Sequence, residues 1–164
     1  MGKLLAGLEA VTQKRVLIGV PAEKAGRQDD DEKGEINNAA LMYIHDKGAT
    51  EANIPARPGL TEGVKDALPD IEKELVALAK EGLSGDPAAV DKRLHRAGII
   101  GQNAVRKRIV DGPWAPLAPS TIAARKRKAK KSGVVLEDSD IRPLRESGQM
   151  YRAVTYSVRD KGEK

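Results

Sequence analysis

The chain contains no cysteine and no phenylalanine, and its aromatic side chains are limited to Trp114, Tyr43, Tyr151 and Tyr156. Without cysteine there is no disulfide, no thiolate nucleophile and no zinc site built on sulfur. With so few rings, aliphatic side chains must supply nearly all of the core. No apolar run approaches the roughly 20 residues needed to span a bilayer, so no membrane partner is expected. Met1 to Glu9 also lacks the long apolar stretch of a secretion signal, which points to a cytoplasmic origin. Histidine is scarce: His45 and His95 have no metal-motif neighbours and read as helix-surface or boundary residues. The acidic cluster Asp29-Asp30-Asp31-Glu32 lacks the glycine and terminal glutamate of a calcium loop and reads as solvated. Gly19, Gly26 and Gly34 do not form a phosphate loop, and Ser120 and Ser147 have no base at motif spacing. Nothing nominates a catalytic residue, a metal site or a cofactor, so an enzyme is not the expectation.

What is present is charge, proline and aliphatic periodicity. The 164 residues suit one domain, expected over 15–158, with a helical or flexible lead-in at 1–14 and a frayed tail at 159–164. The net charge of +5 is uneven, because six cations, Arg125, Lys126, Arg127, Lys128, Lys130 and Lys131, fall within seven positions. That run has two readings. It could contact phosphates without reading bases, as a nucleic-acid-binding module would, or it could be a solvated segment facing an acidic partner.

In chain order, Arg15 to Pro21 reads as a strand apolar on both faces, hence one covered inside a sheet. Asn37 or Asn38 is suited to cap a helix over 39–47, with Gly48 at its left-handed end. Ala40, Tyr43, Ile44 and Lys47 mark the expected buried stripe of that helix, which leaves Asp46 outward. A proline strap, Asn53 to Leu60, follows, stiffened by Pro55 and Pro58 and carrying Arg57. Thr61 is placed to cap a long helix with Val64, Leu68, Ile71, Leu75 and Leu78 on one face, and Pro69 predicts a kink or restart. Asp86-Pro87 opens a second long helix with Val90, Leu94, Ala97, Gly101, Ala104, Val105 and Ile109 on one face, and its small residues Ala97, Gly98, Gly101 and Ala104 would let another helix come close. A second strap, Pro113 to Pro119, holds Trp114. Ser120 or Thr121 is placed to cap a short basic helix from Ile122, and 129–143 reads as a mobile loop. Val154, Tyr156 and Val158 alternate as in a half-buried strand. The expected fold class is α+β: a small, mostly antiparallel sheet packed against a long helical hairpin, plus short helices.

Five blocks in this order carry a resemblance. They are Ile18-Gly19-Val20; Asn38 to Gly48 with Tyr43, Ile44, His45 and Asp46; Ile54-Pro55-Ala56-Arg57-Pro58; Trp114-Ala115-Pro116-Leu117; and Leu144 to Tyr156 with Gly148, Met150 and Tyr151. Together they resemble the virion morphogenesis and tail completion proteins of tailed bacteriophages, the head-tail joining or neck components of Mu-like and HK97-like phages and prophages. The chain departs from the pattern at Gly59 and Lys47, where an aromatic is common, and at Gln149-Met150, where glycine-leucine is simpler.

The resemblance implies a non-catalytic structural protein of the virion tail or neck, made in the host cytoplasm. It also implies assembly as a homo-oligomeric ring, often sixfold, that touches other neck or tail proteins and lies close to DNA. On that reading Arg57, Pro55, Pro58, Trp114 and Asp46 are the candidate assembly residues. Arginine and tryptophan suit interface centres, and a proline backbone has little ordering cost. Two alternatives stay open: Trp114 could anchor its strap to the subunit's own core, and Arg57 could find its partner in its own subunit before the next.

Overall fold

A computed structural model of the chain describes residues 2–27 and 36–162. The acidic cluster Asp29 to Glu32 lies outside the described residues. Six helices, α1 (Gly2–Gln13), α2 (Asn38–Lys47), α3 (Gly59–Ser84), α4 (Pro87–Asp111), α5 (Pro119–Lys131) and α6 (Gln149–Ala153), accompany two strands, β1 (Lys14–Gly19) and β2 (Thr155–Asp160). The fold is the expected α+β class: a two-stranded antiparallel sheet, order β1-β2, against a long helical hairpin.

The hairpin is α3 and α4, and its turn follows from local chemistry. Gly85 adopts φ 76° and ψ 34°, where its N–H reaches the Glu81 and Gly82 carbonyls. Asp86 accepts from the Ala89 N–H, with Pro87 in the first turn of α4. The close approach of the two helices depends on Gly63, where a Cβ would stand 2.7 Å from the Val105 Cα. The helix does not restart at Pro69: α3 runs unbroken from Gly59 to Ser84. Proline removes one internal hydrogen bond, and packing along α4 outweighs that local cost.

The buried face of α4 follows its predicted periodicity: Val90, Leu94, Ala97, Gly98, Gly101, Val105 and Ile109. Its small residues admit strands rather than another helix. A Cβ on Gly98 would sit 2.2 Å from the Tyr156 ring, and one on Gly101 2.2 Å from the Ile18 Cδ1. β1 and β2 therefore lie directly on α4, with Val16 opposite Val158 and Ile18 opposite Tyr156. β1 is not covered on both faces as expected, for Leu17 is 42% exposed and the sheet has no third strand among the described residues.

The ends of the chain join this body. α1 forms as a helix, one of the two readings of the lead-in, and packs on α3 with Gly7 against Gly82. The predicted frayed tail is partly strand: β2 continues to Asp160, and the Lys161 N–H donates to the Gln13 carbonyl. Two apolar clusters result. One joins Met42, Val105, Ile109, Leu144, Met150 and Val154, and the other joins Leu78, Val90 and Leu94.

Candidate assembly surfaces

The strap residues singled out from the sequence converge at the α3 start of the hairpin, inside the chain. Asn37 caps α2 by accepting from the Ala40 N–H. The buried face of that helix carries Asn38, Met42 and Asp46, while Tyr43 is 66% exposed. The predicted stripe is thus rotated, and Asp46, expected outward, is buried. The cause lies in the next helix. Asp46 Oδ1 accepts from the Leu60 and Thr61 N–H groups at 3.0 Å each, and Oδ2 accepts from the Thr61 hydroxyl. These are two of the orphan donors at the start of α3, where a carboxylate also complements the helix dipole. Thr61 is therefore not the cap, because α3 begins two residues earlier and receives its cap from α2.

Arg57 is buried as well. Its Nε and Nη2 donate to the Ala115 carbonyl at 3.3 and 3.1 Å, and Nη2 also reaches the Pro116 carbonyl at 3.3 Å. Its backbone N–H donates to the His45 carbonyl at 2.6 Å. One guanidinium thereby ties the first proline strap to the second, a role for which a rigid planar fork of donors is suited. Burial, followed by the nearby charge of Arg125, holds its pKa below the usual arginine value. Gly48, at φ 77°, is needed beside this strap, since a Cβ there would meet the Ala56 nitrogen at 2.9 Å.

Trp114 is half-buried and donates from Nε1 to the Ile109 carbonyl at 3.1 Å, with the Arg108 guanidinium 5.9 Å from its ring centre. It packs over Gly112, where a Cβ would run into its ring. Of the two readings open for Trp114, the structure shows the internal anchor. Arg57 likewise finds its partner in its own chain. Burial corrects Arg57 and Asp46 from assembly contacts to internal ties, and Trp114 is tied internally while half-buried; Pro55 is exposed and Pro58 half-exposed on the strap they hold.

His45 sits between these groups, half-buried. Burial, then Arg57, then Arg125 lower its pKa from 6.5. A second polar group lies on the sheet side: Lys14 donates to Asp91 at 2.6 Å, Asp91 stands 3.5 Å from His95, and the His95 Nδ1 is 3.3 Å from the Tyr156 hydroxyl. The Lys14 hydrogen bond is the main cause holding the Asp91 pKa below its ordinary value. Nothing in the sequence announced this group, because it joins residues of β1, α4 and β2. It lies at the surface and offers no enclosed pocket. Among the described residues no cluster of three or more His, Cys, Asp or Glu is placed to hold a metal ion.

The basic run occupies α5, which begins at Pro119 after Ala118 and has no buried residue. Ser120 and Thr121 are not its caps. About half of the run is answered by nearby acids: Arg125 and Lys128 face Glu146, and Lys126 pairs with Asp138 at 2.7 Å. Arg125 also donates to the Arg142 carbonyl. Among the described residues Arg127, Lys130 and Lys131 have no ion pair. The 129–143 segment, expected to be a mobile loop, continues α5 to Lys131, then turns through Gly133 and forms a short helical turn at Asp138–Asp140 closed by Glu137 and Asp140.

A groove of about 520 Å³ runs between β1 and α3, lined by Val16, Ile18, Val64, Leu68, Ile71 and Leu75, with Lys14 and Arg15 at one end. Leu68 and Leu75 are each 44% exposed. No family model, curated protein or solved structure matches this chain.

Proposed function

We propose that this chain is a structural subunit of a phage or prophage virion, a tail completion or head-tail joining component that assembles as a ring in the neck and performs no catalysis. The family part of this reading rests on the five ordered sequence blocks. The assembly part rests on one observation. Among the described residues the two-stranded sheet leaves both of its edges unpaired, and the β1 edge opens onto the apolar groove against α3. Exposed strand edges invite pairing with another chain, and open apolar grooves favour occupation.

A ring subunit needs two different surfaces that meet head to tail. The β1 edge supplies one, and the α5 arm with the chain after it supplies the other. The internal ties of Arg57, Asp46 and Trp114 serve this by holding the root of the arm rigidly, so that the angle between the two surfaces is set before assembly. The basic run, half neutralised by its own chain, is a weaker candidate for phosphate contact than its composition suggests.

The experiment is mass spectrometry of purified particles together with the solution mass of the full chain. The expected outcome is a fixed, small copy number in intact virions. Absence from purified particles would overturn the reading.

A further inference from the structure

The pairing pattern of the sheet identifies which backbone groups are open for assembly. The Lys161 N–H donates to the Gln13 carbonyl, which makes residues 13 and 161 a directly bonded antiparallel pair. By alternation Arg15, Leu17 and Gly19 bond toward β2, and the N–H and C=O groups of Lys14, Val16 and Ile18 point to the open edge. On the inner side of that edge lies the apolar groove, and on the outer side stands Leu17, 42% exposed.

Elsewhere the chain carries a segment with complementary chemistry. After α5, Val134 to Glu137 run outside any helix or strand into the short helical turn that begins at Asp138, and Glu137 has the extended φ −82° and ψ 162°. Val135 is 83% exposed, the most exposed large apolar side chain among the described residues. Val134 uses its N–H on the Ala129 carbonyl, and Glu137 exchanges bonds with Asp140. The Val134 carbonyl and both backbone groups of Leu136 have no hydrogen bond among the described residues. The 13 residues of α5, at about 1.5 Å per residue, carry this segment roughly 20 Å from the strap at their root.

We propose that Val134 to Asp138 of one copy adds as a third, antiparallel strand to the β1 edge of the next copy, and that this is the subunit joint of the ring. The inference rests on the assembly reading above and names its contact. One register matches the side chains along the whole segment. Val134 lies opposite Ile18 and Leu136 opposite Val16, both turned into the groove. Val135 lies opposite Leu17 on the outer face, and Glu137 and Asp138 come opposite Arg15 and Lys14.

Apolar residues thus meet apolar ones, and acids meet the basic end of the groove. The backbone agrees with the side chains. In this register Leu136 exchanges both bonds with Val16, the Val134 carbonyl accepts from Ile18, and the Asp138 N–H donates to Lys14. The groups of Glu137 that are already bonded to Asp140 point away from β1. Asp138 gives up only its exposed pair with Lys126, at little cost. Leu136 moves from a shallow cavity beside α5, shared with Ile141 and Arg145, into the groove. Because the donor segment and the acceptor edge differ, the contact is head to tail.

The absence of cysteine makes the test direct. Leu17 and Val135 form a non-hydrogen-bonded pair in this register, with Cα atoms about 4.5 Å apart, within the range a disulfide accepts. The full chain is prepared as Leu17→Cys and as Val135→Cys, both at exposed positions, and the two are mixed under mild oxidation. The expected result is a disulfide-linked pair in the mixture and none in either variant alone. Adding Leu136→Pro to the Val135→Cys chain, which removes the donor to Val16, should abolish it while circular dichroism shows an intact fold. Linkage of Leu17→Cys with itself would show a twofold β1 contact and overturn the proposal. So would a mixture that stays reduced, whether light scattering finds it assembled or monomeric. Linkage in a protein absent from virions would keep the joint and reject the neck assignment.

Discussion

The two proline straps and the two strands both consist of short extended segments brought together from distant parts of the chain, yet they end in opposite conditions. Where the straps meet, Arg57 is met by the Ala115 and Pro116 carbonyls, the start of α3 by Asp46, and Trp114 by the Ile109 carbonyl. Where the strands meet, β1 and β2 satisfy one another and, among the described residues, leave two open edges, that of β1 beside an apolar groove. Buried charge cannot be left unanswered, since an unpaired buried donor or acceptor costs about 1–3 kcal/mol. A strand edge and an apolar groove are tolerated because water satisfies the first and the second costs only unrealised burial. The strap ties are therefore made within one chain, and the sheet region is the one that the proposed joint would complete.

The sharpest way to break this contrast is Asp46→Ala. It removes the acceptor for two backbone N–H groups and a hydroxyl in a buried site, and should cost about 3 kcal/mol of stability in urea unfolding. A loss below about 1 kcal/mol would mean that water can replace the cap and that the region is not sealed. Next is the hairpin itself. Gly63→Ala places a methyl 2.7 Å from the Val105 backbone and should cost about 2 kcal/mol. Gly19→Ala, at the end of β1 where nothing lies within 4 Å, should change stability by less than about 0.5 kcal/mol. Equal effects at the two glycines would contradict the picture of one packed and one open region.

The smallest effect is a pH dependence confined to the strap region. The folded state lowers the His45 pKa below 6.5 by burial and by Arg57, so the unfolded chain takes up the proton first as pH falls. The stabilisation is fully present above pH 6.5 and is lost as pH drops below it toward the folded value. The thermal midpoint measured across this window should fall, and His45→Gln should flatten the profile. A midpoint that rises on acidification through this range would reverse the sign and reject the assignment.

Much of the frame was legible in the chain. The periodicity of Val90, Leu94, Ala97, Val105 and Ile109, the Asp86-Pro87 start and the alternation of Val154, Tyr156 and Val158 all predicted their elements, because each rests on local geometry. The α2 stripe was misread by its own periodicity. Met42 and Asp46 lie four apart, as Ala40 and Ile44 do, and only the exposed N–H groups of α3 decide that an acid faces inward. Pro69 was read as a break because its cost is local, while the packing that offsets it lies on α4. Gly98 and Gly101 announced a close approach and gave no sign whether a helix or a strand would make it.

The sequence by itself determined which elements exist, that cysteine chemistry is absent, and that two stiff segments would carry the unusual residues Arg57 and Trp114, since these follow from composition and from interactions within a few residues. Packing between distant segments turned Arg57, Asp46 and Trp114 inward and left β1, among the described residues, with one edge unpaired. Those outcomes depend on which distant backbone groups need a partner, and in an isolated strap or strand those partners do not yet exist.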